Sequence, residues 1–209
     1  MSLTVEQIRS FFHIYIQMLF LLAPFFSSSI FLMMSDGMEP PQRRKAAIRT
    51  SFGVLVCICV FFFFGKPLFS VLGITLPAFQ VGTGCVLFLS SIMRVLGIGT
   101  QQHRRDENED FAVVPLAIPI IVGPGTIGAL LVLGTAVEGI VETLLTFAAV
   151  LCGGLTVAAF ILLAERIERL LGQKLLATII KVTALMLTAL AAQIIFNGIK
   201  GFFITPPAA

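Results

Sequence analysis

The sequence predicts an all-α integral membrane protein whose six transmembrane helices form two inverted three-helix repeats, the first helix of each half broken or kinked at proline. Three observations lead there. Apolar residues make up 57% of the chain and charged residues 12%, against roughly 45–50% and about 25% in soluble domains; mean hydropathy is +1.02. Apolar windows long enough to span a bilayer, roughly 17–25 residues, recur at 11–34, 50–72, 77–98, 111–134, 139–164 and 176–199, with nearly all charges between them or at their ends. The most polar run, "QQHRRDENED" (101–110), separates a half at 1–100 from a half at 111–209, each with three spans. Three is odd, so related halves must be inverted relative to each other.

The N-terminal "MSLTVEQIRS" has no clustered positive region and no small-residue cleavage site. The first span therefore reads as an uncleaved targeting signal. It contains "LLAPFFSSSIFLMM", with Pro24 ahead of Ser27, Ser28 and Ser29. The second span carries Phe62, Phe63 and Phe64, read as lipid-facing or packing mass. Cys57, Cys59, Cys85 and Cys152 all fall inside spans, where cysteine acts as a small packing residue, with neither a disulfide frame nor a zinc spacing. The third span holds Ser90 and Ser91 and ends near Arg94, which is expected to snorkel. The fourth, "VPLAIPIIVGPGTIGALLVLG", carries Pro115, Pro119 and Pro124. After the fifth, "ERIERLLGQKL" sets Ile167, Leu170, Leu171 and Leu175 on one helical face, the pattern of a short helix lying along the interface. Gln193 and Asn197 in the sixth span match Ser90 and Ser91 in depth and suit hydrogen bonds between helices.

Eleven of the 14 Lys and Arg fall on one side: Arg43, Arg44, Lys45 and Arg49, then Arg94, Arg104 and Arg105, then Arg166, Arg169, Lys174 and Lys181. Arg9, Lys66 and Lys200 fall on the other. Short basic loops stay cytoplasmic, so both termini are expected outside the cytoplasm, with 101–110 a solvated cytoplasmic linker. The net charge of +3 thus bears on orientation, and nucleic-acid binding is not suggested.

The halves align at an offset near 100. Pro24 pairs with Pro124, "FSVLGITLPAF" with "ERLLGQKLLAT", and Gly97 with Gly198. Each proline withholds an N–H from the carbonyl four residues back, so Pro24 frees Phe20, Pro119 frees Pro115, and Pro124 frees Ile120. Beyond Pro124 a restarting helix presents the amides of Gly125 and Thr126, an anion-attracting end. Freed carbonyls suit a cation or ammonium. Corresponding breaks in inverted halves point to a transporter's solute site, and such nonhelical backbone is tolerated only where protein or water covers it. Candidate solute-binding residues are therefore Pro24, Ser27, Ser28, Pro119, Gly123, Pro124, Gly125 and Thr126. Proline in membrane helices also produces simple kinks, the plainer reading of Pro24 taken alone.

At these residues the chain resembles the MarC-related family of small bacterial and archaeal membrane proteins. "VPLAIPIIVGPGTIGALL" is similar to the family's fourth-span signature, supported by "FGKPLFSVLGITLPAFQVGTGCVLFL" and "ALAAQIIFNGIKGFF". The resemblance implies a six-span inner-membrane protein of two related halves; some relatives are described as transporters of small neutral amino acids. Two departures stand out. The family usually has Asn-Pro in the first span with a second proline five residues on, where this chain has Ala23-Pro24 and Ser29; a usual Gly-Gly in the third span is Thr83-Gly84. Ser27, Ser28 and Ser29 are the groups left to replace the missing amide.

No Asp or Glu lies deep in a span, with Glu142 and Glu165 near the ends of the fifth, so the buried carboxylate relay common in proton-driven transport is not expected. His13 near the start of the first span is a weak candidate for a proton role. Coupling to Na+ or H+ is open, and no cofactor or metal is expected. The spans carry no paired aspartates, HExxH or serine–histidine pair, so an enzyme is not expected. The leading expectation is a secondary transporter or exporter of a small neutral solute; the alternative is a non-transporting scaffold or assembly subunit. Membrane lipid and the solute are the expected partners, with a homo-oligomer open.

Overall fold

The computed structural model describes residues 5–97 and 121–204, and among them every regular element is a helix. In chain order these are α1 (Val5–Leu22), α2 (Pro24–Met34), α3 (Pro40–Leu72), α4 (Leu76–Leu96), α5 (Pro124–Ala136), α6 (Ile140–Leu162) and α7 (Ala164–Ile204). The linker at 101–110, with Pro115 and Pro119, lies outside the described residues. Five stretches are long and apolar enough to cross a membrane: Val5–Met34, Pro40–Gly65, Leu76–Leu96, Ile140–Leu162 and Ala164–Phe203. The sixth apolar helix, α5, has 13 residues, roughly 20 Å at 1.5 Å per residue, short of a hydrocarbon core about 30 Å thick. The chain is an all-helical, multi-pass membrane protein.

The helices overrun the apolar windows at several ends. α3 starts at Pro40 and takes in the basic run Arg43, Arg44, Lys45 and Arg49, because hydropathy marks only the lipid-facing part of a helix. Prolines are favoured in a helix's first turn, where the missing N–H has no intrahelical partner anyway. The amphipathic connector and the sixth span share α7, but Gly172 interrupts it at φ 71, ψ 155. Gly73 closes α3 at φ 62, so the two glycines aligned in the sequence both take backbone angles open mainly to glycine. The pairing of Gly97 with Gly198 fares differently. Gly97 closes α4 at φ 72, whereas Gly198 lies within α7, where an added Cβ would meet the Pro77 carbonyl at 2.8 Å.

Small residues let the backbones approach, as expected where helices pack without a hydrophobic driving force between them. α4 and α7 run antiparallel: Thr188 Oγ1 donates to Ser91 Oγ at 3.0 Å, Gly84 faces Ala191 and Ile195, and Pro77 faces Gly198 and Gly201. α4 and α5 also oppose, Leu87 meeting Gly125 and Thr83 meeting Gly128. α1–α2 and α6 run the same way, through Met18 against Gly153 and Phe25 against Phe160 at 5.0 Å. The buried core draws on both halves, including Met18, Leu21, Phe31, Ile58, Phe62, Val122, Leu130, Val150, Ile161 and Leu187. Phe62 packs on Phe147 at 5.4 Å, while Phe63 and Phe64 are each 58% exposed, so one aromatic run supplies both core and outer face. Phe12, Leu89, Leu144, Leu155 and Leu185 are likewise at least half exposed. An outer surface this apolar suits hydrocarbon.

Candidate functional site

The site begins at the break in the first span. The α1 ladder is intact as far as Ala23, whose N–H donates to the Leu19 carbonyl at 3.0 Å. Pro24 has no N–H to continue it. Ala23 turns to φ 44, ψ 71, α2 starts at Pro24, and the new ladder opens with Ser27 N–H donating to the Ala23 carbonyl at 2.9 Å. Two of the carbonyls released from α1 find side-chain donors. Ser27 Oγ donates to the Leu22 carbonyl at 2.7 Å. Thr126 Oγ1 donates to the Leu21 carbonyl at 3.3 Å across the protein, and that bond is buried.

Thr126 stands at the other break. Gly123, extended at φ −76, ψ 174, is the N-cap of α5; Pro124 is its first residue, and Ile127 N–H donates to the Gly123 carbonyl at 2.9 Å. Neither α2 nor α5 has a side-chain cap, so their first-turn amides have no partner within the helix. The start of α5 thus meets the end of α1, just ahead of Pro24, through one buried hydrogen bond.

The predicted residues have distinct places. Pro24, Ser27 and Ser28 are buried in the first turns of α2. Ser28 Oγ donates to the Phe25 carbonyl at 3.0 Å. The Ser27, Ser28 and Thr126 hydroxyls therefore satisfy backbone carbonyls. Gly125 is a packing glycine: a Cβ there would lie 2.5 Å from Leu87 Cδ1, so a large residue would wedge α4 from α5. Pro119 lies outside the described residues.

Ala23 is the one non-glycine residue at positive φ among the described residues. For an alanine the left-handed region costs roughly 1–2 kcal/mol, and asparagine tolerates it better. Asn is also the residue the family resemblance leads one to expect there. Ala23→Gly, which relieves the left-handed angle and adds no atoms at a position only 2% exposed, is expected to stabilise the folded protein by about 1 kcal/mol, read as a rise of about 2–4 °C in thermal unfolding in detergent. An unchanged or lower midpoint would contradict the strained backbone.

A cavity of about 800 Å³ opens beside α2, walled by one face of that helix (Phe26, Ser29, Ile30, Met33), the end of α4 and the part of α7 around Gln173. Among the described residues, its walls include Ser29 but none of the eight predicted site residues. The guanidinium of Arg94, near the end of α4, lies over the Phe26 ring, 4.2 Å from the centroid, and lines this cavity with Ser90, Asp36, Glu168 and Lys181. A clasp stands at the same end of the bundle: Arg43 Nη1 pairs with Glu165 Oε1 at 2.5 Å, and its Nη2 donates to the Ser35 carbonyl at 3.2 Å. It ties the end of α2 to the starts of α3 and α7. A smaller cavity of about 360 Å³ lies at the opposite end of the broken helix, between the starts of α1 and α6, and includes Glu6, Ser10, Glu142 and Thr146.

Comparison with known proteins adds three findings. The family model for the MarC family integral membrane protein matches residues 8–203. A UPF0056 membrane protein of Pyrococcus horikoshii is 30% identical over 203 residues, covering 95% of this chain and 98% of the relative. Others from Aquifex aeolicus and Escherichia coli are 27% and 26% identical, over 89% and 92% of this chain and 90% and 93% of theirs. No solved structure matches.

Proposed function

Since the chain belongs to the MarC family of integral membrane proteins, we propose that it is a secondary transporter or exporter in the inner membrane, moving a small neutral, zwitterionic solute by alternating access. The observation that carries this reading is the buried bond from Thr126 Oγ1 to the Leu21 carbonyl, which ties the start of α5 to the end of α1 beside the Pro24 break. Such paired breaks put uncapped amides and released carbonyls at one depth, complementary to the carboxylate and ammonium of a small amino acid. The relation between the halves supports it: helix restarts at Pro24 and Pro124, positive-φ glycines at 73 and 172, and opposed directions for α4 and α7. With the basic end facing the cytoplasm, the larger cavity is an inward vestibule, the smaller one an outward vestibule, and both termini lie outside. Solute passage requires the Thr126–Leu21 contact to part as one cavity closes and the other opens.

The test is counterflow of labelled glycine, alanine and serine in liposomes, with sodium and proton gradients imposed separately and protein-free liposomes as the control. Saturable counterflow that responds to one gradient is expected, and that gradient names the coupling ion. Folded protein giving no counterflow above the control for any of the three would reject the reading for small neutral amino acids.

A further inference from the structure

We infer that Arg94 is the residue that reads the solute's carboxylate, in a cavity suited to an α-amino acid with an apolar side chain. This rests on the transport reading above. Arg94 is three residues from Gly97, which ends α4, yet its guanidinium lies over Phe26, the third residue of α2. Helical side chains lean toward their own helix's N-terminus, which for Arg94 is back along the bundle and away from the nearby helix end. The charge therefore faces the cavity, beside the uncapped start of α2, whose amides add their own positive potential. Among the described residues Arg94 has no salt bridge to neutralise it; the Phe26 ring steadies it by cation–π attraction. A guanidinium's planar fork matches a carboxylate's two oxygens.

The rest of the wall sets the solute's other end. Ile30, Met33, Leu176 and Ile180 form an apolar lining, and Glu168 stands on the same cavity, a group suited to an ammonium. At about 800 Å³ the cavity falls in the range of small-molecule sites, roughly 300–1,000 Å³, and is far larger than glycine requires. Leucine-sized side chains fit it better.

The test is competition against labelled L-leucine counterflow in liposomes, with unlabelled L-leucine and L-leucinamide, which lacks the carboxylate. In the wild type the amide should compete about tenfold or more weakly, the scale of charge-assisted hydrogen bonds. In Arg94→Gln, leucine should weaken to the level of the amide, and Arg94→Lys, keeping charge but not the fork, should fall between. Equal competition by the two ligands in the wild type would overturn the inference without reference to any variant. A loss in Arg94→Gln by the same factor for both ligands would also overturn it, assigning the arginine to a lipid phosphate or to packing. A wild type that exchanges no solute at all overturns the transport reading itself, a result distinct from active exchange without discrimination.

Discussion

Gly134→Leu is expected to destabilise the protein by about 3 kcal/mol, the upper part of the usual overpacking range. A Cβ added at Gly134 would fall on the Phe62 carbonyl oxygen, and one at Gly65 would lie 2.6 Å from the Leu131 carbonyl oxygen. α3 and α5 therefore cross backbone to backbone. When an added side chain meets the tip of another, the neighbour rotates away at modest cost. Here the obstacle is a peptide carbonyl fixed by its own helix, so the two helices must separate. Thermal unfolding in detergent should show a midpoint about 6–12 °C lower, at about 2–4 °C per kcal/mol for a chain of this size. Gly82→Leu is the matched control: nothing lies within 4 Å of a Cβ there, and its midpoint should stay near the wild type's. Equal midpoints for the two variants would contradict the close α3–α5 crossing.

Thr126→Val is the second large effect. Valine keeps the shape and removes the one hydroxyl bonded to the Leu21 carbonyl, in a position where Thr126 is 3% exposed. An acceptor left buried without a partner costs about 1–3 kcal/mol. The midpoint should fall accordingly, and Thr126→Ser should recover most of the loss because serine retains the donor. The same variant should shift solute exchange, since losing the bond favours the arrangement in which the start of α5 stands apart from the end of α1. Valine and serine variants that melt alike would mean that packing, and not the hydrogen bond, joins the two breaks.

Much of this arrangement is legible in the sequence. Five of the six apolar windows coincide with helices long enough to span, because the bilayer imposes a length. Pro24 and Pro124 mark where helices restart because proline lacks an N–H. Gly73 and Gly172, paired in the sequence, both take positive φ. Three features escape a linear reading. Nothing in the linear sequence discloses that the Ser27 and Ser28 hydroxyls donate to backbone carbonyls, Ser27 to Leu22 and Ser28 to Phe25. Gly125 looks like part of a flexible break, yet its role includes admitting Leu87, a neighbour no local pattern discloses. Arg94 looks like a snorkelling residue because it sits near a helix end; only the placement of α2 beside α4 shows Phe26 beneath its guanidinium. The best available hint was its position on the same helical face as Ser90, four residues earlier.

The most direct measurement compares solute counterflow by the wild type with that of Pro24→Ala and Pro124→Ala in matched liposomes, after thermal unfolding has verified that each is folded. Each change restores the N–H that proline withholds from a helical ladder and lets a helix run through the break. Saturable counterflow by the wild type and little or none by the folded variants is the expected result. Variants that exchange solute as fast as the wild type would show that the breaks are kinks with no part in the solute's path.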